Sequence, residues 1–236
     1  MIFAENFVIL LFIRTHSYDS FVVIRIIMSK EEKAKEIIKR LSKVYPNPHT
    51  ALYYKTPLQL LIATILSAQT TDKLVNTITP GLFEKYKTAK DFANADLSEL
   101  DKEISKVNFY YNKSKNIIAA CKIIAEKYHG EVPQTMEELD ALPGVARKTA
   151  NVVLGNAFHK AEGIVVDTHV MRLSKKLGLT DKNDPVKIEQ DLIKIVPKDK
   201  WIDFSHLLIN FGREYCPARP HKCDNCPLGD LCPDKN

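Results

Sequence analysis

Four of the five cysteines crowd between residues 216 and 232 with the spacing C-x6-C-x2-C-x5-C, and no other feature restricts the folded chain so tightly. Thiols this dense are held by disulfides or by a metal centre. A secreted disulfide framework favours an even count spread along the chain, whereas this count is odd and local, so a reduced, intracellular site is expected. Zinc sites usually show two short-spaced cysteine pairs, and only Cys223 and Cys226 form one here. Cys216, Cys223, Cys226 and Cys232 are therefore read as the ligands of a cubane 4Fe-4S cluster. Pro217, Pro227 and Pro233 follow three of the ligands and stiffen the loop, while Arg219, His221 and Lys222 between the first two offer a phosphate-facing surface. The fifth cysteine, Cys121, shares a helical face with Ile117 and Ile124 and is assigned to the core.

Everything upstream of that loop reads as helix. The chain has 236 residues, enough for one large domain or two small ones, and only 8 glycines. Ala34, Ile37, Ile38, Leu41 and Val44 make one apolar stripe; Ile188, Leu192 and Ile195 make another, and Phe204, Leu208 and Phe211 a third. Thr56 and Pro57 supply an N-cap and first-turn proline ahead of LQLLIATIL, which is apolar almost all round and belongs in the middle of a bundle. Thr135 and Glu138 predict a capping box. Lys and Arg exceed Asp and Glu by 34 to 29, a formal charge of +5 that suits a polyanionic partner without requiring one. Two apolar runs, FVILLFI and FVVIRII, fall within residues 1–27, and both are too short to span a bilayer. Residues 1–27 are expected to be an extension outside the functional fold, with a short membrane-associating segment as the other reading.

The stretch LPGVARKTAN, residues 142–151, is the second informative feature. A proline-glycine turn ends one helix and Val145 is expected to begin the next, so free N–H groups point outward beside a residue without a Cβ. Backbone donors and a helix dipole converging in this way form an anion site. Val145, Thr149, Val152 and Val153 are expected on the buried side of the second helix, with Lys148, Asn151 and Gly155 on another face. Lys148 is then either a phosphate grip, a reactive amine or an ordinary surface lysine.

With both features in view, the chain resembles the endonuclease III family of DNA glycosylases with abasic-site lyase activity. The resemblance runs from about residue 30 to the C-terminus and rests on LLIATILSAQTTD, LPGVARKTANVVL, VDTHVMRL and the four-cysteine spacing. It implies an all-α protein of two helical domains flanking a DNA-binding cleft. One is a six-helix barrel over 52–161 with a helix-hairpin-helix at about 134–158; the other is an iron-sulfur cluster domain combining 28–51 with 162–236. It implies that Lys148 is the nucleophile and Asp167 the essential carboxylate, although the residues alone suggest that Asp167 is a helix N-cap. DNA contacts are implied at Gln69, Phe109, Gly144, Ala146 and Arg147, joined by Arg219 and Lys222 of the cysteine loop. Gln69 would enter the duplex where a nucleotide has flipped out and Phe109 would act as an apolar wedge; their plain alternatives are a helix-end polar residue and a core aromatic.

Two positions depart from the family pattern. Ala146 stands where the hairpin's second glycine is usual, which would hold a phosphate slightly farther away, and Asn108 stands where glycine is common in the wedge turn. The implied reaction removes damaged bases, oxidised pyrimidines above all, and cleaves the abasic site by β-elimination through a lysine Schiff base. The implied partner is double-stranded DNA carrying damaged bases or abasic sites, met by a cytoplasmic, nucleoid-associated monomer with no membrane contact. One alternative is a mismatch-specific thymine or uracil glycosylase of the same fold, although relatives that excise adenine or mismatched thymine usually lack a lysine at this position. A non-catalytic DNA-binding or redox iron-sulfur protein is the alternative from another class.

Overall fold

The computed structural model describes residues 8–14 and 21–27 as backbone and residues 28–233 with their side chains. The first two elements are strands, β1 (Val8–Arg14) and β2 (Phe21–Ile27), paired antiparallel with Val8 opposite Ile27 and Arg14 opposite Phe21. They are the exception to the all-α expectation, which holds over 28–233. The difference has a local cause: FVVIRII is dominated by β-branched residues, which lose rotamer freedom in a helix and suit a pleated ribbon. The rest of the extension lies outside the described residues. Among the described residues no helix is long and apolar enough to cross a membrane.

The chain divides into two compact units, one of Met1–Pro48 with Gly163–Asn236 and the other of His49–Glu162. The His49–Glu162 unit is built from α2 (Pro57–Ser67), α3 (Asp72–Lys85), α4 (Ala89–Ala93), α5 (Leu97–Glu103), α6 (Tyr110–Lys127), α7 (Met136–Asp140) and α8 (Arg147–Phe158). As its composition predicts, α2 is central: every residue from Leu60 to Leu66 is buried. Thr56 accepts from the Gln59 N–H and Pro57 opens the helix, so both start signals act as expected. The box at Thr135 is only half formed. Its hydroxyl accepts from the Glu138 N–H, and the Glu138 carboxylate accepts from that hydroxyl at 2.7 Å.

The other unit carries α1 (Lys30–Val44), α9 (Thr168–Lys176), α10 (Pro185–Ile195) and α11 (Trp201–Glu214). Ile37 and Leu41 from α1, Leu173 from α9, Leu192 from α10 and Phe204 and Leu208 from α11 have no exposed surface. Val44, the last residue of the α1 stripe, is exposed because it falls in the final turn beyond the packed face. Leu228 and Leu231 of the cysteine loop join the same core, fully buried. Burying each such leucine contributes about 2 kcal/mol, so the loop is anchored by apolar contacts as well as by its thiols.

Candidate active site

The hairpin turn is shaped by one glycine. Gly144 has φ +75, and a Cβ placed there would meet the Cβ of Asn116 at 2.7 Å and its Nδ2 at 2.9 Å. Only glycine satisfies both the left-handed backbone and the close approach to α6. The departure at Ala146 has no such conflict. Ala146 is the N-cap of α8 with φ -99 and ψ 165, ordinary extended backbone, and no side chain caps the helix there. A helix start without a side-chain cap suits an anion.

Lys148 and Arg147 are exposed in the first turn of α8. The buried face of the helix differs from the expected one. Ala150, Asn151, Val153, Leu154 and Gly155 are buried, whereas Thr149 and Val152 are only partly covered. The helix packs against α2 and α7. That rotation places Asn151 and Gly155 in the core and leaves Lys148 at the rim.

Asp167 is the N-cap of α9: its Oδ1 accepts from the Val170 N–H at 2.8 Å. The plain reading of that residue is thus correct as geometry. It also holds one carboxylate oxygen in a fixed direction and leaves Oδ2 outside that bond. Lys148 belongs to the His49–Glu162 unit and Asp167 to the other.

Gln69 and Phe109 share an unusual backbone. Both are left-handed, with φ 54 and φ 57, and both are exposed, Phe109 by 61%. The core alternative for Phe109 is therefore excluded. Left-handed backbone costs a non-glycine residue about 1 kcal/mol, so each is held there by its surroundings. Asn108 joins them: its Nδ2 donates to the Gln69 carbonyl at 2.5 Å and its N–H donates to the Thr70 hydroxyl at 3.3 Å. Beneath lies Lys113, whose ammonium donates to the Leu66 carbonyl (2.8 Å), the Ala68 carbonyl (2.6 Å) and the Thr70 hydroxyl (3.2 Å). Burial pushes its amine down from the ordinary lysine value. Sequence reasoning missed this role, though it left a signal. Lys113 stands four residues before Ile117 on the apolar face of α6, where a charged side chain needs buried partners.

The four cysteines line a single cavity together with Leu173, Leu177, Phe211, Leu228 and His221. Cys216 is buried and the other three are partly covered. Burial pushes the Cys226 thiol up, and the nearby Cys223, Cys216 and Cys232 add to that effect. Four sulfur atoms lining one small cavity suit a metal centre, which supplies positive charge between them. No group of three His, Cys, Asp or Glu side chains arranged to hold one metal ion occurs among the described residues. Arg172 reaches the first ligand, with Nη2 donating to the Cys216 carbonyl at 2.7 Å and Nη1 lying 3.7 Å from its sulfur. Arg219 and Lys222 are exposed on the intervening loop, and the His221 ring nitrogen Nδ1 is 2.9 Å from the Arg219 carbonyl. Cys121 is core as expected, its thiol pushed up to about 12 by burial.

A helical hairpin with an uncapped second helix, an exposed lysine at that helix's start and a four-thiol loop define a class of DNA repair enzyme. Residues 62–198 match the HhH-GPD superfamily of base excision DNA repair proteins. The chain is 51% identical to endonuclease III of Synechocystis sp. over 89% of its length and 96% of that protein's, and 40% identical to endonuclease III of Escherichia coli K12 over 85% and 94%. It superposes on the structure of a trapped endonuclease III-DNA covalent intermediate with a TM-score of 0.81 at 43% identity, covering 87% of this chain and 97% of the other. A thermostable thymine-DNA glycosylase shares the fold at 24% identity with a TM-score of 0.76. The chain belongs to the endonuclease III family, and is a base excision repair enzyme with DNA glycosylase and abasic-site lyase activity.

Proposed function

We propose that Lys148 is the covalent nucleophile of this reaction and that Asp167 assists it, on DNA whose target nucleotide has been flipped from the duplex. The carrying observation is the position of Lys148, exposed within the first turn of an uncapped helix that can seat the neighbouring phosphate. The unprotonated amine attacks C1′ of the sugar, and the bond from C1′ to the base breaks as the base leaves with the electron pair. Loss of the amine proton and opening of the sugar ring give an imine between Nζ and C1′. The imine acidifies C2′; removal of a proton there expels the 3′ phosphate by β-elimination. Water then releases the lysine. The Asp167 carboxylate, aimed by its capping bond, stabilises positive charge on the sugar or takes the amine proton.

Oxidised pyrimidines are the proposed substrates, since a base that stacks or pairs poorly costs least to flip. Gln69 and Phe109 fill the space it vacates. The hairpin turn at Gly144, Ala146 and Arg147, with Arg219 and Lys222, contacts backbone phosphates as a monomer on the duplex. Cys216, Cys223, Cys226 and Cys232 would hold a 4Fe-4S cluster, whose four thiolates fill one position on each iron and so give it a structural role. A purified protein with stoichiometric zinc and no broad visible absorption would overturn that assignment.

The test of Lys148 is borohydride reduction on abasic and intact-lesion duplexes. Wild-type protein is expected to give a stable adduct. Lys148→Arg keeps the charge and the grip on DNA, but its guanidinium stays protonated and forms no imine, and Lys148→Gln likewise gives none. Lys113 is not a competing amine, because its three protons are committed to oxygens. Efficient excision and trapping by Lys148→Gln would sink the proposal.

A further inference from the structure

We infer that Asn108, with Thr70 and Lys113, locks the Gln69 and Phe109 loops into one rigid two-pronged probe that lesion recognition requires. The inference rests on the proposed entry of Gln69 and Phe109 into the duplex. Each prong stands on a left-handed residue that relaxes to ordinary backbone unless something holds it. The loops are far apart in sequence, yet the Asn108 side chain donates to the carbonyl of Gln69 itself. Thr70 is the hinge of the clamp: its hydroxyl accepts from Asn108 N–H and from Lys113 Nζ, and donates to the Ala68 carbonyl. The Lys113 ammonium sits at the carboxyl end of α2, where three oxygens and the negative end of the helix dipole hold it. A glycine at 108 could supply the N–H but not the side-chain bond. This chain therefore uses its departure from the family pattern to pre-organise the probe, so that inserting it into DNA costs less conformational entropy.

Asn108 touches neither the reacting sugar nor the amine, so it is a positioning residue with a distinct signature. Asn108→Ala is exposed and free of the left-handed region, so the variant folds. Its kcat/KM on a lesion duplex is expected to fall about fivefold, and that of Lys113→Met at least about tenfold, the sizes of one neutral and of several charge-assisted hydrogen bonds. Fluorescence of 2-aminopurine placed opposite a stable abasic analogue, which rises when the orphaned base is unstacked, is expected to weaken in parallel. Borohydride trapping on a single-stranded abasic oligonucleotide, which has no partner strand to plug, is expected to be unchanged. In a Gln69→Ala background the Asn108→Ala loss is expected to shrink, because the two act through one prong. Lys113→Arg is expected to recover part of the loss. Full duplex activity and fluorescence in Asn108→Ala, or equal losses on duplex and single strand, would overturn the clamp. If wild-type protein raises the fluorescence but never traps DNA, the lysine chemistry fails while the fluorescence comparison still decides the clamp.

Discussion

Asp167 caps α9, and the proposed chemistry asks the same carboxylate for a second role. Asparagine caps a helix about as well as aspartate, so Asp167→Asn is expected to change stability by less than about 1 kcal/mol. Removing the carboxylate charge is expected to slow base excision by about a hundredfold, the cost of losing one well-placed electrostatic group. Thermal unfolding and single-turnover excision on the same preparation separate the two effects, and a parallel loss in both would reduce Asp167 to a cap. Gly144 carries the opposite lesson, since its demand is purely steric. Gly144→Ala places a Cβ 2.7 Å from that of Asn116 and forces an alanine to φ +75. The expected cost is about 2 kcal/mol of stability, together with weaker binding to undamaged and abasic duplex alike. Unchanged affinity would move the hairpin turn off the DNA surface.

At the scale of elements, the cysteine loop depends on α1. Arg40 extends from that helix with Nη1 and Nη2 donating to the two carboxylate oxygens of Asp230 at 2.5 and 3.0 Å, and Nη1 donating to the Pro227 carbonyl at 3.3 Å. Its Nε donates to Glu36 Oε1 at 2.8 Å, which fixes the guanidinium from its own helix. The carboxylate of Asp230 is 61% exposed, so the ion pair itself contributes about 1 kcal/mol at most. Its consequence is local: it ties the segment between Cys226 and Cys232 to a rigid support. Arg40→Met is expected to leave global unfolding nearly unchanged while the visible absorption of the proposed cluster decays several-fold faster under a chelator. Equal decay in the two proteins would mean that Leu228 and Leu231 anchor the loop unaided.

Across the whole molecule, the formal charge of +5 is modest, so DNA affinity must come from where the cations sit. Charge reversal in Lys222→Glu is expected to weaken every duplex similarly and to lower the salt dependence by about one phosphate contact. An unchanged salt slope would take the cysteine loop out of the interface. What the sequence by itself determined is what depends on near neighbours. The helix start at Thr56, the central character of α2, the cysteine spacing and the proline-glycine turn are set by residues within a few positions of one another. Such signals survive in any window of sequence because caps and periodicity act over one or two turns. The tertiary structure alone decided which face α8 buries, since that depends on its packing against α2 and α7. It also decided that Phe109 stands in solvent and that Asn108 and Lys113 hold the loop of Gln69. Those bonds join residues 38 to 47 positions apart. No local pattern encodes such a pairing, because a hydrogen bond between loops exists only after the helices beneath them have packed.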